Sequence, residues 1–300
     1  MAGDTITVAA PAKINLYLEI TGRRDDGYHY LLTLMHKIKL CDHLEFQRSG
    51  SGIRLSCPGK ELPEDEGNLV FRAARLFFET MGKRLGEGPG GVFITLRKKI
   101  PIAAGLGGGS SDAAATLRGL NELFEANCSR EELLAMAGCL GADVPQFILE
   151  WPVAWAAGIG DRLLEGVPLS GYKILLVNPG VSVSTKWVYG NFALTAGQNH
   201  FNLENSPKQS IRGWSSSAFL KRPIRPDELY NDLEIVTAAQ YPAITTLKKK
   251  LLEFGASAAL MSGSGPTVFG LFQIGDEAKA KACYNELLKE FSCTWLVDVL

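Results

Sequence analysis

Apolar and polar positions alternate over Ile6 to Ala10 and again over Ala12 to Ile20, which predicts two strands parted by Pro11. A charged turn, Gly22 to Gly27, leads into a long extended apolar stretch, Tyr30 to Phe46. Ile53 to Cys57 reads as a short strand stopped by Pro58-Gly59. The period then changes. Apolar residues at 69, 70, 73, 74, 77 and 78 predict a helix over Asn68 to Met81, closed by Gly82. Val92 to Leu96 alternates as a strand, and Asp112 to Ala126 is helical. Ser129, with Glu132 at the capping-box position, opens a helix to about Leu140. Gly141-Ala-Asp-Val-Pro145 breaks it, Phe147 to Trp155 is apolar and extended, and Gly158-Ile-Gly160 turns.

Tyr172 to Val177 is a buried-strand run ending at Asn178-Pro-Gly180, and Ser184 to Tyr189 starts a helix. From about Thr195 to Pro226 polarity rises and periodicity fades, which predicts a long, partly mobile segment. Pro242 to Phe254 is a helix ended by Gly255. Ala258 to Met261 and Thr267 to Phe272 are strands around Ser262-Gly-Ser-Gly-Pro266. Asp276 to Glu290 is an amphipathic helix, and Trp295 to Leu300 a last strand. Helices and strands mix without regular βαβ alternation, so the pattern predicts an α+β fold rather than a doubly wound sheet. A boundary near 160–170 divides the chain into an N-terminal domain, 1–165, and a C-terminal domain, 166–300.

Composition narrows the class. At 300 residues and 46% hydrophobic the chain can bury a sizeable core in two domains. A formal net charge of −1 gives no global field for nucleic acid or an anionic membrane, and neither is expected as a partner. Met1-Ala-Gly-Asp-Thr5 lacks a basic region followed by an apolar core, so no signal peptide is expected. No segment approaches the roughly 18 apolar residues of a spanning helix. Six scattered cysteines (41, 57, 128, 139, 283, 293), without CxxC or histidine-paired spacing, read as reduced thiols of a cytoplasmic protein rather than a zinc site. Of two basic clusters, Arg97-Lys98-Lys99 is placed to flank a phosphate site and Lys248-Lys249-Lys250 reads as a solvated helix face.

The densest chemistry lies in Pro101-Ile-Ala-Ala-Gly-Leu-Gly-Gly-Gly-Ser-Ser-Asp112. Its glycines let the backbone curve tightly, and the helix behind it points unpaired N–H groups into the curve. This is an anion site, and a nucleotide phosphate suits it. Gly105-Leu-Gly107-Gly-Gly-Ser110 superficially fits a dinucleotide fingerprint, but it lies too far along the chain for a first βα turn. No strand ending in an acid follows about 20 residues later. The lysine of a P-loop is also missing; Ser110-Ser111 stand there, with hydroxyls for a phosphate oxygen or Mg²⁺. A purely structural turn would order four glycines for no local gain.

Lys13 and Asn15, two apart in a strand, share one face. Lys13 stands between Ala12 and Ile14, after Pro11, a setting for a lysine held in a cleft. Asp143, taken alone, reads as a turn or helix-stop aspartate. His29 reads as either a structural histidine or part of a binding turn with Tyr28, and Tyr189 as an ordinary core aromatic.

Three segments together resemble the GHMP kinase family: Pro11-Ala-Lys-Ile-Asn-Leu16, Pro101 to Ser111, and Gly263-Ser-Gly-Pro266. They occur in order across nearly the whole chain. Thr21 to His29, Leu140 to Pro145, Asn178 to Thr185 and Tyr230-Asn-Asp-Leu233 are similar to the branch of that family acting on 4-diphosphocytidyl-2-C-methyl-D-erythritol. The segment Leu31 to Asp42, especially Met35-His-Lys37, departs from that branch, being more basic than its usual apolar strand.

The resemblance implies a two-domain fold, with a ribosomal-protein-S5-like N-terminal ATP domain and an α/β-sandwich C-terminal domain. It implies ATP and Mg²⁺ as cofactors, and transfer to the substrate's 2-hydroxyl, giving the 2-phosphate and ADP in isoprenoid precursor synthesis. Asp143 would be the general base, with Lys13 beside it stabilising charge. Pro101, Gly105, Leu106, Gly107, Gly108, Gly109, Ser110 and Ser111 would hold the phosphates, Ser110 and Ser111 also the metal, and Asn68, Leu69 and Lys99 the adenine. Asn15, Tyr28, His29, Thr185, Tyr189, Gly263, Ser264 and Gly265 would bind the substrate, with aromatic stacking and an imidazole suited to a cytosine edge. A monomer or weak homodimer is expected. The alternatives are another kinase of this family (homoserine, mevalonate or sugar), a non-catalytic ligand sensor on the same fold, and more distantly a dinucleotide-dependent oxidoreductase.

Overall fold

The computed structural model describes residues 5–85, 90–198 and 218–300. Its first two strands are long: β1 (Thr5–Arg23) and β2 (His29–Ser49). Pro11 does not part β1, because the fixed proline φ is compatible with extended backbone. Ala10, Ala12, Ile14 and Leu16 are fully buried on one face of β1, while Lys13 and Asn15, on the other, are also nearly inaccessible. The chain divides into two compact units that are discontinuous in sequence: 1–12, 40–100 and 107–150 in the first, and 13–39, 101–106 and 151–300 in the second.

In the first unit β2 pairs antiparallel with β4 (Gly91–Arg97) from His43↔Arg97 to Ser49↔Gly91, and β4 pairs parallel with β3 (Gly52–Ser56). Helices α1 (Leu69–Leu85), α2 (Gly108–Leu123), α3 (Arg130–Leu140) and α4 (Val144–Ile148) pack together, α2 touching the other three. Phe46, Phe77, Val92, Leu117, Leu120 and Phe147 centre this core. Each such buried side chain is worth about 1.5–3 kcal/mol of transfer free energy. Helix α1 continues through Gly82, which lacks the left-handed φ of a helix stop and meets no obstructing atom. The expected capping box is present: Ser129 Oγ accepts from Glu132 N–H, and the Glu132 carboxylate from Ser129 N–H. Phe147 and Ile148 are not extended as predicted. Pro145 lies in the first turn of α4, where its missing N–H breaks no bond, so the apparent breaker starts a helix.

In the second unit β2 pairs with β5 (Val153–Gly158), which pairs with β6 (Arg162–Glu165), and β1 pairs parallel with β8 (Tyr230–Asn231). A separate antiparallel sheet runs in the order β11 (Thr294–Asp298), β7 (Tyr172–Val177), β10 (Val268–Gln273), β9 (Ala258–Met261). Helices α5 (Thr185–Gln198), α6 (Glu234–Gln240), α7 (Ala243–Glu253) and α8 (Glu277–Leu288) share its apolar core with Leu175, Val177, Val188, Leu247 and Phe272. Of the polar segment predicted over 195–226, residues 199–217 lie outside the described residues. Its flanks are regular: α5 reaches Gln198, and a short 3₁₀ helix spans Ala218–Lys221. No helix among the described residues is long and apolar enough to cross a membrane.

The basic-looking Met35-His-Lys37 segment is interior strand. His36 is fully buried. Its Nδ1 lies 2.8 Å from the Lys37 carbonyl, which can only accept, so Nδ1 carries the proton. Nε2 then accepts from Leu169 N–H at 3.2 Å. Burial pushes the imidazole pKa down to about 4, so His36 is neutral.

Candidate active site

Helix α2 begins inside the glycine run. Gly108, Gly109, Ser110 and Ser111 form its first turn, earlier than the apolar period predicts, and Gly107 caps it with φ 70°. Glycine tolerates that left-handed backbone at no steric cost. The free N–H groups of this turn and the helix dipole favour an anion. Ser111 Oγ and Asp112 Oδ1 are buried here and find no hydrogen-bond partner among the described residues.

Against this turn stands a buried charge cluster: the sequence places Lys98 beside a phosphate site but does not mark its pairing with two aspartates. Lys98 Nζ donates to Asp42 Oδ2 at 2.5 Å and to Asp112 Oδ2 at 2.6 Å. The three side chains are 5%, 0% and 3% exposed. Asp42 Oδ1 also accepts from the N–H groups of Lys99 and Ile100. Burial opposes the Lys98 charge, but Asp112 and Asp42 hold its pKa above the ordinary value. Burial pushes Asp112 up against the pull of Lys98. A Cβ at Gly108 would lie 3.1 Å from Lys98 Nζ, so it is Lys98 whose ammonium reaches the loop, while the Lys99 side chain is exposed. Leu69 also reaches it, 3.6 Å from a Cβ at Gly109. Asn68 caps α1, its Oδ1 accepting from Val70 N–H and its Nδ2 donating to Pro63 O.

The second unit gathers the other two motifs. Lys13 N–H donates to Leu106 O at 2.9 Å, and Lys13 Nζ donates to Asn15 Oδ1 at 2.7 Å. Asn15 Nδ2 donates to Thr33 Oγ1 at 2.8 Å, and Thr33 Oγ1 to Tyr17 O at 2.6 Å. Gly105, with φ 74°, runs so close to the Ser262–Pro266 turn that a Cβ there would lie 2.2 Å from Ser262 O. Thr185 Oγ1 and Ser264 Oγ share a hydrogen bond of 2.9 Å.

His29 meets Tyr189, ring centroids 5.5 Å apart, and Phe192 edge-on at 6.4 Å. Burial, with help from Arg23, lowers the His29 pKa, which leaves a neutral imidazole able to donate and accept. Tyr28 is 66% exposed. Asp143 sits at the start of α4 in the first unit, whereas Lys13 belongs to the second. Among the described residues no three His, Cys, Asp or Glu side chains form a metal cluster.

Comparison with known proteins gives the class. Residues 68–150 match the model of the GHMP kinases N-terminal domain, and 218–293 that of the GHMP kinases C-terminal domain. The 4-diphosphocytidyl-2-C-methyl-D-erythritol kinase of Syntrophus aciditrophicus is 47% identical, across 91% of this chain and 92% of that protein. Its namesake from Syntrophotalea carbinolica is 45% identical, with 91% of each covered. A crystal structure of 4-(cytidine 5'-diphospho)-2C-methyl-D-erythritol kinase superimposes with a TM-score of 0.75 at 34% identity, covering 98% of this chain and 99% of that one. The fold alone is shared with the Methanococcus jannaschii mevalonate kinase, at TM-score 0.72 and 15% identity. The chain belongs to the GHMP kinase family and is an ATP-dependent kinase of a small molecule. Eight relatives, 40–47% identical over 91–95% of this chain, bear the one name already given.

Proposed function

We propose that this chain transfers the γ-phosphoryl group of ATP to the 2-hydroxyl of 4-diphosphocytidyl-2-C-methyl-D-erythritol, releasing ADP, as a step in making isoprenoid precursors. The reading is carried by the full-length likeness to kinases of that name. The His29–Tyr189 ring pair supports it, because a flat pyrimidine with hydrogen-bonding edges is what such a pair suits.

The alcohol is a weak nucleophile at neutral pH, so positioning and charge stabilisation supply most of the acceleration. Asp143 accepts the hydroxyl proton as the oxygen bonds to the γ-phosphorus and the bond to the β-phosphate oxygen breaks. Lys13, steered by its bond to Asn15, offsets the charge gathering on the transferred group. The first turn of α2 holds the phosphates, with Pro101 to Gly107 as its approach, and Asn68 and Leu69 flank the nucleotide. Asn15, Thr185 and the Gly263–Gly265 turn orient the acceptor, and His29, Tyr28 and Tyr189 read the cytosine.

A Mg²⁺ ion held at this turn would offset the negative charge of the phosphates. The buried Ser111 Oγ, lacking a protein partner among the described residues, fits a ligand of that ion, with Ser110 beside it.

Phosphorylation is measured as ADP release, with diphosphocytidyl-methylerythritol beside mevalonate, homoserine and galactose. Turnover confined to the first, with a new phosphomonoester signal in ³¹P NMR, is the expected result. Faster turnover of any other acceptor overturns the assignment.

A further inference from the structure

Two residues outside the roles given above hold the Gly263–Pro266 motif in place, and both belong to the second unit. Asn231, in β8, is 7% exposed. Its Nδ2 donates both hydrogens, to Met261 O and to Gly263 O, each at 2.8 Å, and its Oδ1 accepts from Leu233 N–H at 3.0 Å. One carboxamide thus spans the entry to the turn. Ser262 is fully buried. Its hydroxyl accepts from Asn15 N–H at 3.2 Å and donates to Gly105 O at 2.9 Å. A single oxygen therefore joins the Lys13–Asn15 strand, the approach to the glycine loop and the C-terminal turn, segments up to 247 residues apart in sequence. Thr237 Oγ1 adds a bond to Ser264 O at 3.1 Å.

We propose that Asn231 and Ser262 are positioning residues for phosphoryl transfer, holding the backbone of the three motifs in reacting register without touching substrate themselves. The proposal rests on the reaction assigned above. A misplacement of about 1 Å in a transfer site can cost on the order of a hundredfold in rate. Buried carbonyls stripped of their donors drive such a displacement. Asn231→Asp replaces two donors with a carboxylate facing two carbonyl oxygens. Ser262→Ala deletes the junction, and Ser262→Thr keeps its hydroxyl.

The test is steady-state kinetics of the full chain and its variants, with rates taken per folded molecule from circular dichroism and thermal melts. The expected result is a kcat at least tenfold lower in Asn231→Asp and Ser262→Ala, with both KM values within threefold of wild type. Ser262→Thr should recover a substantial part of the loss. A merely structural role would lower Tm and leave kcat per folded molecule intact. A kcat fall of less than tenfold, or a loss confined to KM, overturns the proposal. If Asn231→Asp does not fold, Ser262→Ala decides by the same thresholds. If wild type turns over a different acceptor of the panel, the substrate assignment fails, and the same ratios measured with that acceptor still decide the role of these two residues.

Discussion

His36 makes the acid stability of this protein calculable. The fold holds its imidazole neutral, with Nδ1–H given to Lys37 O and Nε2 accepting from Leu169 N–H. Protonating Nε2 would set two donors face to face in a site without solvent. The ordinary histidine pKa is 6.5 and burial brings this one to about 4. Above pH 6.5 folded and unfolded chains both carry a neutral ring, and stability does not respond to this group. Below 6.5 the unfolded chain binds the proton first, so stability falls as pH drops and levels off below about 4. The whole effect is about 3 kcal/mol, of which about 2 kcal/mol is gone by pH 5. Urea unfolding at a series of pH values, for wild type and His36→Gln, isolates it. The variant does not titrate and keeps an acceptor for Leu169 N–H, so the stability difference between the two proteins should shift by about 2 kcal/mol between pH 7 and pH 5. A difference that stays constant over that range, or an NMR titration placing the ring near 6.5, refutes the reasoning.

Asp143→Ala should abolish phosphoryl transfer while largely sparing ATP binding, read by single-turnover assay and calorimetry; near-normal turnover sinks the proposed base. His29→Ala should raise the KM for the cytidine substrate by about tenfold, roughly the loss of one stacking and one hydrogen-bonding contact, with kcat little changed. Equal substrate titrations would remove His29 from the cytosine site. Gly107→Val forces a branched side chain into φ 70°, so the ATP dissociation constant should rise at least tenfold; unchanged ATP binding contradicts the phosphate role of the loop. Lys98→Met would leave Asp42 and Asp112 buried without their cation, a change expected to cost about 3–5 kcal/mol in denaturant unfolding at pH 7. An unaltered midpoint would show that the cluster does not hold this part of the fold.

Local signals in the sequence translate into structure where one segment decides the outcome. The apolar spacing of 69 to 78 becomes α1, and Ser129 with Glu132 becomes a capping box. Signals failed where a residue has two uses. Proline can break a helix or begin one, and Pro145 begins α4. Gly82 has the residue type of a helix stop, but with helical neighbours and open space around it the helix continues. Helix α6, at seven residues, carries an apolar stripe too short to show a period in the sequence. Within the candidate site, the glycine loop, Lys13–Asn15 and the Gly263–Pro266 turn were legible because each concentrates unusual residues in a few positions.

What was not legible is the long-range pairing that holds those parts. Antiparallel β2 and β4 reach His43↔Arg97, and one step beyond that last pair stand Asp42 and Lys98, 56 residues apart in sequence. Nothing near Asp42 marks it, and a register shifted by one residue would turn its side chain to the opposite face of the sheet. The same holds for Ser262 and Gly105, separated by 157 positions and joined by one hydroxyl. His36 gives the converse case: it looks basic in sequence and is neutral in the fold, because strand pairing buries it, and its Nε2 accepts from the N–H of Leu169, 133 residues away. Motifs therefore name the groups that face a ligand, whereas the charge and placement of those groups are set by residues whose significance exists only once the strands have paired.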